Sequence, residues 1–327
     1  MKTSFLLFWV LLPFSLVFTL ATSAQYHHEV VSDWPKLPDG HILGLCAGIG
    51  VDSQNRVFVF HRSGRKWANP FPKECIAAPT ISMIDGASGK LLATWGENRF
   101  VMPHGLTVDH EGNLWMTDVG LHQVFKCTWE GKVLLTLGEA GVPGADRAHF
   151  NLPTDVAVLP DGSFYVSDGY KNTRIAKFSA VGKFEFEWGT KGEGKGEFNL
   201  PHGIAIDSQG RVIVCDRENE RLQLFDPRGG FLAAWKGPHL GKPYGIAAAP
   251  SGHLFIIDGG SPSLKRELRG KAVELDAFGT VVDSFGSFGT GPGQFQLGHD
   301  IAIGPDGSVY TAEATGARVQ KFVRSYR

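Results

Sequence analysis

One segment of the 327-residue chain has the sequence Pro103-His104-Gly105-Leu106-Thr107-Val108-Asp109, and a turn at Glu111-Gly112 leads from it into a second β-rich run, Leu114-Trp115-Met116-Thr117. Apolar and small residues alternate on both sides of a short glycine-containing turn, which is typical of two paired strands. A third run, Gln123-Val124-Phe125-Lys126, follows after a short gap. The segment therefore predicts short strands joined by tight turns.

The same pattern recurs along the chain at intervals of roughly 42 to 57 residues. Some copies also contain a fourth run that ends in Trp-Gly or Phe-Gly, at Trp95, Trp188 and Phe285. Four strands repeated at this spacing are typical of propeller blades, so six copies predict an all-β, six-bladed β-propeller around a central channel. The five further copies begin at Cys46, Pro153, Pro201, Pro243 and Gly298.

A propeller has to close on itself, and the last copy lacks a fourth strand. Its third run ends at Phe322, which leaves too few residues for another strand. We therefore expect residues from about Gln25 to Trp34 to supply the outer strand of the last blade.

Composition excludes several classes of protein. Apolar residues make up 43% of the chain and charged residues 20%, which is typical of a globular domain and not of a disordered one. The formal net charge of -1 provides no basic surface for a phosphate backbone, so no nucleic acid partner is expected.

The N-terminus has the features of an export signal. Lys2 precedes an apolar run from Phe5 to Leu20, and the small residues of Ala21-Thr22-Ser23-Ala24 suit signal-peptidase cleavage. We interpret residues 1–24 as a signal peptide, with an uncleaved membrane anchor as the alternative, and residues 25–327 as a single propeller domain. The mature protein is expected to be exported, periplasmic or secreted, monomeric and free of the membrane.

Export permits disulfide bonds, and the chain has four cysteines. Three pairings are possible and spacing does not choose among them, while the alternative is four buried thiols. These cysteines are Cys46, Cys75, Cys127 and Cys215.

Histidine occupies the same repeat position in every second copy. The innermost strands of a propeller line its axis, so equivalent positions on alternate blades lie about 120° apart and their side chains converge. Three imidazoles leave a fourth coordination position open, as in catalytic zinc sites. The residues at this position are Ala47, His104, Thr154, His202, Tyr244 and His299.

Two alternatives remain for these histidines. The same ligands suit copper, iron, cobalt or nickel, because imidazole discriminates weakly among these metals. Each histidine could also hydrogen-bond to a strand end near the channel mouth without binding metal.

A second position, 14 residues after the first, carries a carboxylate in five of the six copies. An aspartate at a strand end often accepts hydrogen bonds from the backbone amides of the following turn, and we favour this structural role. Residues beyond this position vary, among them Arg62, Arg217 and Tyr170. The residues of this second position are His61, Asp118, Asp168, Asp216, Asp258 and Glu313.

The repeats resemble NHL repeats, and several longer segments resemble one enzyme family, the peptidyl-α-hydroxyglycine α-amidating lyases. The resemblance covers about residues 43 to 323. It implies cleavage of the N–Cα bond of a peptide's C-terminal α-hydroxyglycine to an amide and glyoxylate. The segments that carry it are Phe60-His61-Arg62, Met102-Pro103-His104-Gly105-Leu106, residues 117–125, Pro153-Thr154-Asp155-Val156-Ala157-Val158, Ser167-Asp168-Gly169-Tyr170-Lys171-Asn172 and Asp216-Arg217-Glu218-Asn219.

The resemblance also implies roles for particular residues. His104, His202 and His299 would bind a catalytic zinc ion, Tyr170 would be the acid/base group, and Arg62 and Arg217 would be further catalytic residues that face the substrate. A structural calcium ion would use the Asp300 side chain and the backbone carbonyls of Ile49 and Leu106, a set of oxygen ligands that calcium accepts.

Some family features are missing. The family's cysteine pairs are absent, a family methionine is replaced by Leu297, and no copper monooxygenase domain accompanies the propeller. The substrate is therefore either a small molecule or peptide with a hydroxyglycine-like end or a related carbinolamide. A non-catalytic NHL propeller that binds a ligand outside the cytoplasm is the alternative function. A calcium-dependent propeller lactonase is disfavoured, because it would need carboxylate and asparagine ligands where this chain has histidines.

Overall fold

The computed structural model describes residues 26–260 and 270–326, so the predicted signal peptide lies outside the described residues. The described part of the chain contains no helix long and apolar enough to cross a membrane. Secondary structure within it is almost entirely β, with one turn of 3-10 helix at Arg217–Asn219.

The first half of the chain forms the strands of blades one to three. They are β1 (Tyr26–Val30), β2 (Cys46–Val51), β3 (Arg56–His61), β4 (Ile81–Asp85), β5 (Leu91–Trp95), β6 (Pro103–Val108), β7 (Leu114–Asp118), β8 (Gln123–Cys127), β9 (Val133–Leu137), β10 (Asp155–Val158), β11 (Phe164–Asp168), β12 (Arg174–Phe178) and β13 (Phe184–Trp188).

The second half forms blades four to six and two short parallel pairs. Its strands are β14 (Thr190–Lys191), β15 (Glu197–Phe198), β16 (Pro201–Ile206), β17 (Val212–Asp216), β18 (Arg221–Phe225), β19 (Phe231–Lys236), β20 (Pro243–Ala248), β21 (Leu254–Asp258), β22 (Ala272–Leu275), β23 (Val281–Phe285), β24 (Ser287–Phe288), β25 (Gln294–Phe295), β26 (Gly298–Ile303), β27 (Val309–Glu313) and β28 (Arg318–Tyr326).

Six antiparallel four-stranded sheets make up the propeller, as the repeats predict. Five of them consist of consecutive strands, from β2-β3-β4-β5 to β20-β21-β22-β23. The first strands of the six sheets, β2, β6, β10, β16, β20 and β26, each pack against the next, and β26 packs against β2. These inner strands therefore surround the channel, and residues at one repeat position share one level of it.

The sixth sheet confirms the predicted closure. Its order is β1-β28-β27-β26, and Tyr26 pairs with Tyr326 while Val30 pairs with Phe322. A strand from the beginning of the chain thus completes the blade built from its end.

The core lies between neighbouring blades, where apolar faces of adjacent sheets meet. Val57, Val59 and Ile84 of blade one pack with Tyr310 and Ala312 of blade six, for example, and all five are buried. Burial of aromatic and branched side chains at each of these seams supplies the main stabilising free energy.

The carboxylate position has the structural role that we favoured. Asp118 is fully buried and accepts hydrogen bonds from the backbone N–H groups of Val101, Met102, Gly120 and Leu121, at 2.7 to 3.0 Å. Equivalent carboxylates bind loop amides and arginines in other blades, as Asp216 does with Asn199 N–H and Arg221. These carboxylates therefore stabilise the loops, whereas the histidines face the channel.

All four cysteines are free thiols in the structure. Cys46, Cys127 and Cys215 are buried, and Cys75 is half-buried in the long loop after β3. They act as small apolar side chains, the second of the two states considered for them.

Candidate metal centre

His104, His202 and His299 lie on the inner strands β6, β16 and β26, and their side chains meet on the channel axis. The ligand nitrogens of the three imidazoles lie within 4.8 Å of one another, and all three residues are buried. The ring centroids are 4.7 to 4.9 Å apart. The structure thus brings together the three histidines that the repeat pattern selects.

The blades without histidine hold these rings in place. Each Nδ1 lies within hydrogen-bonding distance of the carbonyl oxygen at the same repeat position on the next blade, and a carbonyl can only accept, so Nδ1 carries the proton. The three bonds are His104 to Thr154 at 2.7 Å, His202 to Tyr244 at 2.7 Å and His299 to Ala47 at 2.6 Å.

This arrangement leaves the lone pair of each Nε2 available. A carbonyl partner for the other ring nitrogen is the usual outer contact of a metal-binding histidine, because it fixes the tautomer and the ring orientation. The hydrogen bond to a strand that we considered as an alternative to metal binding therefore exists, and it involves Nδ1 and not Nε2, so it is compatible with metal binding.

The rings are neutral, which is the state that binds metal. Burial, together with the charge of Arg62, lowers the pKa of His299 to about 3. Burial and the neighbouring histidines also hold the pKa of His104 and His202 well below the ordinary value.

Glycine beside a histidine allows the inner strands to approach closely. A Cβ atom on Gly105 would overlap the Thr154 carbonyl oxygen, the one that accepts from His104. A Cβ on Gly169, next to Tyr170, would overlap the carbonyl oxygen of Pro201. Both positions require glycine because of this contact.

Tyr170 lies directly above the histidines. Its Oη is 3.1 Å from Nε2 of His104 and 3.4 Å from Nε2 of His202. Since Nε2 of His104 has no proton, the tyrosine hydroxyl donates to it. The Tyr170 oxygen therefore lies next to the point at which the imidazole lone pairs converge.

Two arginines flank Tyr170. The Arg217 Nη1 atom is 3.4 Å from Tyr170 Oη, and its guanidinium lies over the Tyr244 ring at 4.5 Å. Arg217 also pairs with Glu218, which in turn pairs with Lys242.

Arg62 is a buried cation that lines the pocket above the histidines. Its Nε donates to the Pro103 carbonyl at 2.9 Å, and only 3% of the residue is exposed. Within residues 26–260 and 270–326, no carboxylate forms a salt bridge with it. A buried cation without a counterion is costly, so this position favours an anionic ligand.

A pocket of about 520 Å³ opens above these residues. It has the size of an ordinary small-molecule site, and Arg62, Tyr170, Arg217, Tyr244 and His299 are among its lining residues.

Asp300 lies one residue beyond His299, deeper in the channel. Its carboxylate accepts hydrogen bonds from Ile49 N–H and Ile301 N–H, both at 2.9 Å. Asp300 lines a cavity of about 250 Å³ at the opposite end of the channel, together with Ile49, Leu106 and Asp155. The structure thus places the three predicted calcium ligands around one space.

Asp155 is a second carboxylate of this layer, and the resemblance to the family did not assign it as a calcium ligand. It occupies the same repeat position as Asp300, where the other four copies have glycine, and it accepts from Val156 N–H at 2.8 Å and Ile204 N–H at 3.1 Å. Burial raises the pKa of Asp155 to about 7, and burial with the charge of Asp155 raises that of Asp300. Two buried carboxylates near each other favour a cation between them.

Comparison with known proteins agrees with this architecture. The model of the NHL repeat matches residues 150–178 and 198–225. Among solved structures, a gluconolactonase from Xanthomonas campestris has a TM-score of 0.61 at 11% identity over 87% of this chain and 88% of its own. A streptogramin B lyase has a TM-score of 0.54 at 16% identity over 93% of this chain and all of its own. These low identities support the fold alone.

Proteins that are similar in sequence identify the family, which the similar structures do not. A probable peptidyl-alpha-hydroxyglycine alpha-amidating lyase of Caenorhabditis elegans is 34% identical, covering 85% of this chain and 82% of that protein. Peptidyl-alpha-hydroxyglycine alpha-amidating lyase 2 of Drosophila melanogaster is 32% identical, covering 90% of this chain and 75% of that protein. Peptidyl-glycine alpha-amidating monooxygenase B of Xenopus laevis is 37% identical over 90% of this chain, which spans only 35% of that relative.

Proposed function

Because this chain belongs to the peptidyl-α-hydroxyglycine α-amidating lyase family, we propose that it cleaves the N–Cα bond of a C-terminal α-hydroxyglycine, or of a related carbinolamide. The products are an amide and glyoxylate. The observation that carries the proposal is the set of three convergent imidazoles beside Tyr170, next to a pocket that is also lined by the buried Arg62.

His104, His202 and His299 would hold the catalytic zinc ion. The donor set fits, since three Nε2 lone pairs converge and each Nδ1 is fixed by a carbonyl. Zinc would supply a Lewis acid that lowers the pKa of the substrate's α-hydroxyl.

Tyr170 is the acid/base group in this proposal. Its Oη lies within 3.1 to 3.4 Å of two histidines and of Arg217, so a proton can be exchanged at that atom. The O–H electrons of the α-hydroxyl form the carbonyl as the C–N bond breaks. Tyr170 Oη takes the hydroxyl proton and gives its own proton to the departing nitrogen, so the amide forms and the tyrosine ends the reaction in the state in which it began.

The two arginines bind the negative charge of the substrate. Arg62 is a buried guanidinium that forms no salt bridge with a carboxylate of the described residues, so it would pair with the substrate carboxylate that becomes part of glyoxylate. Arg217 lies beside Tyr170 Oη, at 3.4 Å, where its guanidinium would stabilise negative charge that develops during proton transfer.

Metal analysis combined with a glyoxylate-release assay on α-hydroxyhippurate tests the proposal. We expect one zinc ion per chain and equal amounts of benzamide and glyoxylate. Chelation should stop the reaction and added zinc should restore it, and reconstitution with copper, iron, cobalt and nickel identifies the preferred metal. Stable zinc binding without glyoxylate would instead favour a non-catalytic binding protein.

We further propose a structural calcium ion on Asp300, with the backbone carbonyls of Ile49 and Leu106 and with Asp155 as an additional carboxylate. The support is the pair of buried carboxylates that line one cavity with both backbone segments.

Calcium should stabilise the protein more at pH 8 than at pH 6. The folded-state pKa values of Asp155 and Asp300 are raised, so protons compete with calcium for these carboxylates more strongly as the pH falls. The measurement is the thermal midpoint with calcium and with a calcium chelator at both pH values. Asp300→Asn should abolish the calcium effect, whereas substitution of the exposed Asp161 to Asn should preserve it.

A further inference from the structure

The loop between the second and third strands of blade one is much longer than its counterparts in blades two, three, four and six, and it lines the pocket. Residues 62–80 join β3 to β4 in blade one, whereas four or five residues join the equivalent strands in blades two, three, four and six. Five residues of the loop line the pocket of about 520 Å³. They are Arg62, Trp67, Ala68, Asn69 and Phe71.

Hydrogen bonds to backbone carbonyls hold this loop in place, two of them in the segment that leads into blade two. Arg65 Nη1 donates to the carbonyl oxygens of Glu74 at 2.6 Å and Val101 at 2.9 Å. The Ile76 N–H donates to the Phe100 carbonyl at 2.7 Å. The pocket side chains of the loop therefore hold a defined position, which lowers the entropic cost of ligand binding.

Trp67 is the central apolar side chain of the loop. Its ring lies 5.2 Å from the Tyr170 ring, 4.8 Å from the Phe71 ring and 5.3 Å from the Arg62 guanidinium. Even so, 43% of Trp67 remains exposed. A large aromatic surface thus lies free beside the acid/base group.

The remaining walls of the pocket combine apolar and cationic side chains. Leu45, Leu152 and Leu297 line it, and its charged lining residues are Arg62, Lys171 and Arg217. No aspartate or glutamate is among the lining residues that the structure describes. The pocket therefore suits a ligand that joins an anionic end to an apolar group.

The proposed reaction decides where that apolar group lies. The reacting carbon of a hydroxyglycine carries a hydroxyl, a carboxylate, a nitrogen and a hydrogen. The hydroxyl faces the histidines and Tyr170, and the carboxylate faces Arg62, so the acyl chain on the nitrogen has to extend toward the exposed face of Trp67.

We infer that Trp67 and Phe71 form a subsite for the side chain that precedes the hydroxyglycine, and that this subsite selects apolar, above all aromatic, side chains. The inference rests on the proposed lyase function. Basic side chains are disfavoured, because Arg62, Arg217 and Lys171 repel them.

The test compares three substrates, N-acetyl-Phe-, N-acetyl-Ala- and N-acetyl-Lys-α-hydroxyglycine, by kcat/KM for glyoxylate release. The wild-type protein should prefer the phenylalanine substrate over the alanine substrate by about tenfold or more, and the lysine substrate should be poorest. Trp67→Ala should reduce the preference for phenylalanine over alanine to less than about threefold, mainly through a higher KM for the phenylalanine substrate.

Trp129→Ala is the matched control. Trp129 is also partly exposed, at 36%, and stacks on an arginine, Arg56 at 4.5 Å, but it lies outside the pocket. This variant should keep the wild-type preference. If Trp67→Ala does not fold, Phe71→Ala carries the same prediction.

The possible negative results distinguish a wrong subsite from a wrong lyase function. Equal kcat/KM values for all three substrates in the wild-type protein, or a preference that persists in a folded Trp67→Ala variant, would overturn the subsite while the lyase function stands. Absence of glyoxylate from every substrate with zinc bound would overturn the lyase function, and the subsite with it.

Discussion

The His202→Ala variant is expected to lose the zinc ion that we propose and to release glyoxylate more than about 100-fold slower than the wild-type protein. Loss of a residue that only contacts a metal ligand costs about 10- to 100-fold in affinity or activity, so loss of a ligand itself should cost more. The lost ligand has no substitute, because the described residues offer no other His, Cys, Asp or Glu close enough to complete the set. Metal content and kcat/KM on α-hydroxyhippurate are the measurements.

His110→Ala is the control for this variant, since His110 is exposed in the turn after β6 and does not belong to the set of convergent histidines. It should retain full zinc content and activity. A folded His202→Ala protein with one tightly bound zinc ion and wild-type turnover would contradict the proposed metal centre.

Tyr170→Phe should lower kcat by about 100- to 10,000-fold, the usual contribution of general acid–base catalysis, while zinc content stays unchanged. The substitution removes one oxygen, which lies 3.1 Å from His104 Nε2 and 3.4 Å from Arg217. Ring packing against Trp67 and His104 is retained, so the fold should not change. Single-turnover kinetics and metal analysis distinguish a chemical defect from a loss of metal.

Tyr326→Phe serves as the control, because this tyrosine is 67% exposed at the end of β28, in the outer part of blade six. Unchanged kcat is expected for it. Wild-type kcat in Tyr170→Phe would remove Tyr170 from the mechanism and would leave the proton transfer to another group.

Much of the fold could be predicted because the six repeats of the chain can be aligned with one another. A propeller places equivalent residues at equivalent levels, so His104, His202 and His299 could be selected without coordinates. Closure by residues 26–30 followed from a missing strand in the last repeat. Both predictions depend on local strand patterns and on the symmetry of the ring.

The remaining parts of the site depend on contacts that the repeat does not encode. The carbonyls that fix the imidazoles belong to Ala47, Thr154 and Tyr244. Each of them lies on the blade that follows the histidine's own blade, and this relation is seen only in the structure. Their alternation with histidine at one repeat position was the available signal. Asp155 likewise replaced a glycine in the sequence, but its proximity to Asp300 results from the curvature of the ring.

The loop at 62–80 was beyond prediction for a different reason. Its length was visible, but a loop outside the repeat has no symmetry partner to indicate its course. The position of Trp67 follows from tertiary contacts such as that of Arg65 with Val101.

Blade six joins residues 26–30 to residues 318–326, and it also carries His299 and Asp300. During synthesis, this blade cannot be completed before β28 has been made. Strand β1 has to remain unpaired until then. A chain that stops before His299 would possess only two of the three imidazoles. The metal site that we propose would therefore form late, once blade six has been completed by the pairing of residues 26–30 with residues 318–326.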